Sequence, residues 1–343
     1  MSVFHQTLNG QAGRRDETST SVRAAALGRQ QANDFDFITT PGFDLDPRSI
    51  PTTYGFLCCN KPPGMTSRDL VNIAQGRFRS TKVGHAGTLD PLARGVLVLG
   101  VGPAARLVPY VQRSAKRYRA IFRLGWSSRS ADLEEALTQQ PHYSRPSLAQ
   151  IRQAALAFIG EITQKPPDFS AVKIQGQRAY DLVRQGKAFD MPTRLVQVHS
   201  LEVVSFSCDH MELDITCGSG TYIRSLGVDL AGALGCDAVM TDLVRTEVGC
   251  FQLADAVSVC DLRGASIESR LRPLIEGMND LPRVPLTPQG VAQLGFGQAI
   301  VATEADETQE AAAITPDGQL RAILHRAGTH WKPYRVFPVE MTP

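Results

Sequence analysis

The spacing of apolar and polar positions changes repeatedly between about residues 54 and 280, which predicts helices and strands intermixed along one chain. The run 54–60 (YGFLCCN) is short and apolar and is stopped by Lys61-Pro62-Pro63-Gly64, the pattern of a buried strand ended by a turn. Ser67 stands where a helix cap belongs. Behind it, 68–78 carries Leu70, Ile73 and Ala74 on one side with arginines elsewhere, as in a helix packed on a sheet. A strand follows at 95–101. In 116–125, Tyr118, Ala120, Phe122 and Leu124 alternate with Arg117, Arg119, Ile121 and Arg123, and period two means a half-buried strand.

Further along, 147–159 has helical spacing, 169–176 is strand-like, 180–184 is a short helix, and 193–206 and 211–217 are strands. A Gly-Ser-Gly turn opens a helix over 221–234, and a strand near 243–251 precedes helices running to about 276. From Leu281 the pattern shifts to short β runs, with a Pro-Asp-Gly turn between two of them. The expected fold class is α+β: a mixed, largely antiparallel sheet with flanking helices, plus a small C-terminal β module. The expected domains are a disordered extension (1–50), a catalytic domain (51–280) and the module (281–343). The extension is assigned from its weak hydrophobic period and from five basic groups nearly cancelled by six acidic ones.

Composition narrows the function. With 343 residues and 43% apolar side chains the chain buries a sizeable core, which excludes a disordered scaffold and a disulfide-stapled miniprotein. No run approaches the roughly 18 apolar residues of a membrane span. The first residues lack the apolar stretch of a secretory signal, so a cytoplasmic location is expected. Seven cysteines form an odd set with no CxxC pair, and no histidines fall at HExxH spacing, so neither disulfides nor a metal is expected. Nucleotide-cofactor motifs are missing too, because GxxxxGK[ST] does not occur and Gly100-Val101-Gly102-Pro103 breaks off before a third glycine.

Net charge is only +2, but residues 61–129 hold thirteen Lys or Arg against Asp69 and Asp90, a local charge of +11. Tyr110, Tyr118, Phe122 and Trp126 lie among these cations. This is the footprint of a surface that neutralises phosphates and stacks bases, with Arg77, Arg79, Lys82, Arg113, Lys116 and Arg117 as the expected phosphate contacts. A solvated basic face with its aromatics in the core has the same composition.

The sharpest local feature is 84–95 (GHAGTLDPLARG), where three glycines and a proline fix an irregular backbone around Asp90. Surrounding cations are expected to lower the Asp90 pKa and hold it ionised, as a nucleophile or an electrostatic stabiliser and not a general acid. With Asp69 the only other carboxylate nearby, the paired acids of glycosidases do not fit. A turn aspartate before proline is the plainer alternative.

Six segments in this order, 60–67 (NKPPGMTS), 84–97, 116–125, 169–186, 218–235 and 243–251, resemble the TruB family of tRNA pseudouridine synthases. The resemblance implies isomerisation of one uridine in the tRNA T-loop, position 55, with no cofactor and no metal. It matches Asp90 to the catalytic aspartate, Tyr118 to a tyrosine stacking on the flipped uracil, and Arg224 to the arginine that pairs with the aspartate. Tyr222 stands beside Arg224 as a packing or ligand-contacting aromatic. His85 matches the histidine inserted into the T-loop, Lys61 a lysine supporting the catalytic loop, and Leu243 an apolar contact to the pocket. The implied partner is the tRNA T-arm stem-loop, bound by a monomer, and the C-terminal module is similar to a PUA-type RNA-binding domain.

Arg129 departs from this pattern where an acid is usual, Phe169 where tyrosine is common, and Asn60 where aspartate is frequent. The N-terminal extension is no part of it. Two other functions remain open on the sequence: a tRNA-binding folding factor in which isomerisation is secondary, and a metal-dependent nuclease or deaminase.

Overall fold

A computed structural model describes residues 53–170, 172–264, 266–302 and 308–338. The expected extension, 1–50, lies outside the described residues. Among the described residues the largest of four sheets has nine strands: β1 (Gly55–Lys61), β2 (Val83–His85), β3 (Arg94–Val101), β4 (Lys116–Leu124), β5 (Gly160–Gln164), β6 (Arg194–Ser207), β7 (His210–Cys217), β8 (Ala238–Val248) and β9 (Phe251–Gln252); two of the others are two-residue ribbons. Their order is β1-β3-β8-β4-β7-β6-β5, with β2 on β3 and β9 on β8. Only β3 and β8 pair in parallel; the other pairings are antiparallel, as expected of a mixed sheet.

Both faces of β1 and β3 are covered, which is why their sequences are nearly continuous apolar runs. Leu57, Cys59, Leu97 and Leu99 meet Leu70, Val71 and Ala74 of helix α1 (Ser67–Arg77). Phe56, Cys58, Val96 and Val98 meet Val108, Tyr110 and Val111 of α2 (Val108–Arg113). The middle of the sheet is covered by α3 (Leu148–Ala155) and α5 (Ile223–Ala233), on either side of the short α4 (Ala179–Arg184) in sequence. Strand β4 alternates as the sequence requires, with Tyr118, Ala120, Phe122 and Leu124 buried. Helix α5 lies so close to it that any side chain at Gly227 would run into the Phe122 ring.

Several elements differ from expectation. The cap of α1 is Thr66, whose hydroxyl accepts from the Asp69 amide while the Asp69 carboxylate accepts from the Thr66 amide. Strand β8 starts at Ala238 because Ala238–Met240 pair with Phe122–Leu124. The 169–176 segment contributes only a two-residue strand, Lys173–Ile174, paired with Gln177–Arg178. Helices were expected to 276, but the chain forms short 3-10 turns at Leu253–Asp255, Asp261–Arg263, Ile267–Arg270 and Leu274–Met278. The reason is that this stretch bonds to the backbone of β1, through Asn60 to Val257 and Phe56 to Arg272, which a continuous helix could not do.

The second sheet has five strands: β10 (Arg283–Pro285), β11 (Ile300–Val301), β12 (Glu310–Ile314), β13 (Leu320–Ala327) and β14 (His330–Val336), in the order β10-β12-β13-β14-β11. Helix α6 (Pro288–Gly295) was not expected, although Thr287 caps it and Pro288 sits in its first turn. Trp331, Leu324, Ala313 and Leu294 fill the module's own core. Ala312, Leu320, Ile323 and Phe337 face the other way and share a core with Phe56, Val108 and Tyr110.

Candidate active site

The loop between β2 and β3 carries Asp90 and is tied down from below at each turn. The Ser67 hydroxyl, free because Thr66 caps the helix, accepts from the Leu89 amide at 2.8 Å and donates to the Leu89 carbonyl at 3.0 Å. Lys61 is fully buried at the end of β1 and donates to the carbonyls of Met65 (2.5 Å), Pro62 (3.0 Å) and Pro91 (3.3 Å). Burial brings its pKa down to about 8, with Asp90 acting against the fall. The Gly64 amide also reaches the Pro91 carbonyl. Arg245, buried on β8, donates to the carbonyls of Val96 (2.7 Å) and Gly87 (3.1 Å). At Gly95, φ is +104° and a Cβ would strike the Arg245 backbone, so only glycine lets β3 approach β8 here.

Arg224, in the first turn of α5, joins this loop to two other segments. One guanidinium nitrogen lies 2.9 Å from Asp90 and donates to the Phe169 carbonyl at 3.0 Å. The other lies 3.3 Å from Asp132 and donates to the Ser130 carbonyl at 2.7 Å. Asp132 is buried and is held in turn by the Ser130 hydroxyl (2.5 Å) and the Glu134 amide (3.0 Å). The Arg224 side chain is only 4% exposed, whereas that of Asp90 is 35% exposed, so a buried cation presents an accessible carboxylate.

The electrostatics reverse one expectation. The Asp90 pKa is raised, first because the walls of the site desolvate it; Arg224 opposes the rise, Asp132 adds to it, and Lys61 opposes it weakly. The cationic surroundings foreseen in the sequence are present but are outweighed by burial.

Tyr118 and Leu243 belong to the same buried cluster as Leu89 and Ile223, and Asp90 is among the charges acting on the Tyr118 phenol. Burial raises that phenol's pKa, with Arg245 opposing. The structure thus groups Asp90, Arg224, Lys61, Tyr118 and Leu243. Tyr222 is the residue before α5. Its backbone is clasped by the Gln164 side chain, which accepts from the Tyr222 amide (2.8 Å) and donates to its carbonyl (3.0 Å), and its ring lies 4.6 Å below the Arg194 guanidinium. His85 lies at the start of the loop on β2, half-buried, with its pKa lowered chiefly by burial.

Asp132, Arg245, Ser67 and Gln164 were not foreseen as site residues. Arg245 had a sequence signal, since it falls at an inward-facing position of a strand otherwise apolar there. Asp132 had none, because only the fold brings the turn after β4 under α5.

The basic block is also less available than its composition implied. Arg77 pairs with Glu268 (2.6 Å), Arg94 with Asp242 (2.6 Å), Arg113 with Glu310 (2.9 Å), Arg117 with Asp214 (2.8 Å) and Arg119 with Glu212 (2.9 Å). Lys116 is buried, donating to the carbonyls of Gln112 and Ser114. Of the six expected phosphate contacts, Arg79 and Lys82 have no carboxylate partner among the described residues and stay exposed.

Two adjacent family models match this chain. Residues 75–223 match the TruB family pseudouridylate synthase N-terminal domain, and 224–281 match the tRNA pseudouridylate synthase B C-terminal domain. The chain belongs to the TruB family of pseudouridylate synthases. A tRNA pseudouridine synthase B of Rhodopirellula baltica is 41% identical over 339 residues, covering 86% of this chain and 97% of the relative. One from Cereibacter sphaeroides is 41% identical over 290 residues, covering 82% and 96%. Among solved structures, the fold is similar to a chain of a Cbf5-Nop10-Gar1 complex, with a TM-score of 0.66 at 24% identity over 83% of this chain and 85% of that one. The TruB match to 75–223 spans Asp90, Tyr118, Asp132 and Tyr222, and Arg224 opens the second match. Among the described residues no helix is long and apolar enough to cross a membrane, and no three His, Cys, Asp or Glu cluster as metal ligands.

Proposed function

We propose that this pseudouridine synthase acts on tRNA, converting the T-loop uridine at position 55, with Asp90 as the carboxylate that meets the flipped nucleoside. The observation that carries this reading is the contrast at the Arg224–Asp90 pair, 2.9 Å apart, in which the cation is sealed and the carboxylate open. The reaction breaks the N1–C1′ bond, turns the uracil over and forms C5–C1′, while a proton leaves C5 and one is gained at N1. No atom enters or leaves, so no external reagent is required. Addition to the ring, attack on C1′ and removal of a sugar proton all require Asp90 ionised. Arg224 favours that form and fixes where the carboxylate points.

The base has to leave its stack to reach Asp90, at a cost of a few kcal/mol. Tyr118 and Leu243, which share a buried cluster with Leu89, are the residues we assign to receive it, as an aromatic and an apolar wall. Tyr222, with Arg194 over its ring, is assigned to contact the RNA, and His85 to the space vacated in the T-loop. Lys61 supports the loop through Pro91. The likeness to named tRNA pseudouridine synthases supports tRNA as the substrate, and the module over 281–343 supports a PUA-like contact to the same RNA. We further assign the enzyme to the cytoplasm, working as a monomer without cofactor or metal.

The deciding experiment incubates the protein with a T-arm stem-loop, with chelator present and no cofactor added. The expected product is a uridine isomer of unchanged mass. Asp90→Asn is expected to lower the single-turnover rate by at least about 1000-fold while RNA affinity stays within a few fold. Appreciable turnover by that variant would remove Asp90 from its role.

A further inference from the structure

Among the described residues, the seam between the catalytic body and the C-terminal module gathers more positive charge than it neutralises. Arg106 ends the turn after β3, with its guanidinium 5.6 Å from the Phe337 ring centroid. Its pKa is lowered by burial and then by the neighbouring Arg335. Arg335 on β14 stands 4.9 Å from the Tyr334 ring centroid and makes one long contact to that hydroxyl at 3.4 Å. Its Nε is buried with no hydrogen-bond partner. Tyr334 is itself 50% exposed, stacked on His325 at 4.2 Å.

Among the described residues one carboxylate serves this corner, Glu310, and it is already taken. It accepts from Arg113 at 2.9 Å, from the Tyr110 hydroxyl at 3.4 Å and from His325 Nε2 at 3.1 Å. Neither Arg106 nor Arg335 pairs with a carboxylate among the described residues. Two half-buried guanidiniums near enough to act on each other, one with an orphaned donor, are a cost to the fold that a bound anion would relieve.

We propose that this seam is a second RNA contact, in which Arg106 and Arg335 fork onto a backbone phosphate of the substrate away from the uridine pocket. The inference rests on the reading of tRNA as substrate. Planar guanidiniums suit the paired oxygens of a phosphodiester, and an exposed tyrosine among cations is the mixture that nucleic acid favours. The site is composite, with Arg106 from the catalytic body and Arg335 from the module, so RNA bound there spans both.

The test is binding, measured on the full chain with whole tRNA and with the isolated T-arm stem-loop between about 50 and 200 mM salt. The Arg106→Gln, Arg335→Gln double variant is expected to bind whole tRNA about 10-fold more weakly. The slope of log affinity against log salt should flatten by about one to two. In turnover, the loss should fall on KM and not on kcat. Arg335→Lys, which keeps the charge, should retain most of the slope. If the double variant does not fold, Arg106→Gln alone carries the test, since that side chain closes an outer turn. Unchanged affinity and slope would overturn the proposal, as would a loss seen with polyglutamate but not with tRNA. A wild-type protein that binds tRNA through this seam yet makes no pseudouridine would sink the proposed function while leaving this contact standing.

Discussion

The two segments that flank Arg224 are held in very different ways. The Asp90 loop, 84–95, receives buried donors from β1, α1 and β8 through Lys61, Ser67 and Arg245, along with an ion pair to the buried Arg224 of α5. Facing it, the described residues of 165–190 are anchored to the body by few bonds: Ser225 to the Lys165 carbonyl at 2.8 Å, Arg224 to the Phe169 carbonyl at 3.0 Å, and Arg129 over the Phe169 ring at 5.7 Å. Their own contacts are local, such as Ala179 to Val172 and an exposed Lys165–Asp190 pair at 3.6 Å. The difference suits two tasks under the proposed function: a carboxylate at Asp90 fixed in advance, and an opposite wall whose fewer ties make it the cheaper side to open for RNA.

The strongest way to break this comparison is to cut a support of the rigid side. Arg245→Met leaves the carbonyls of Gly87 and Val96 without their donor inside the core. It should cost about 2–5 kcal/mol in chemical denaturation, together with most of the activity. A variant as stable as the parent would show that the loop does not depend on β8. The same truncation at the exposed Arg129, which packs over the Phe169 ring of the opposite wall, should leave stability within about 0.5 kcal/mol.

A smaller effect separates position from charge. Arg224→Lys keeps a cation but loses the fork that joins Asp90, Asp132 and two carbonyls, and should slow single turnover by roughly 10- to 100-fold. The pH dependence gives the more specific readout. Under the proposed role Asp90 acts ionised, and its pKa is raised, so activity is expected to be lost as pH falls through a value above that of an ordinary aspartate. Arg224 is the main influence lowering that pKa, so weakening it moves the acid limb to higher pH. A limb unmoved in Arg224→Lys would mean that burial alone sets the Asp90 titration.

Much of the rigid side was legible in the sequence, because it is written in local signals. Breakers around Asp90, alternation on β4 and the Gly-Ser-Gly opening of α5 each report a neighbourhood of a few residues. The six family segments add their order. What stayed hidden is set by distant pairing. Asp132 matters only because α5 crosses above the turn that holds it, and the acids that neutralise Arg77, Arg94, Arg113, Arg117 and Arg119 come from residues 212–310. A count of charges along the chain sees the cations of 61–129 together but not the carboxylates the sheet lays beside them. The sign of the Asp90 shift was lost for the same reason, since burial is a property of the fold.

The two departures noted at Arg129 and Phe169 turn out to touch each other, and they offer the finest cut. Each is next to, or is itself, a residue whose carbonyl holds Arg224: Ser130 follows Arg129, and Phe169 gives its own. An exposed guanidinium over a ring contributes about 0.5–1 kcal/mol. Arg129→Ala and Phe169→Ala should therefore each slow single turnover only about 2- to 5-fold, and the double variant should be no slower than the worse single one. Phe169→Tyr, which preserves the ring, should match the parent. Multiplying losses in the double variant would mean that the two side chains act separately, Arg129 on RNA and Phe169 on the wall, and that the opposite wall is not clasped at this point.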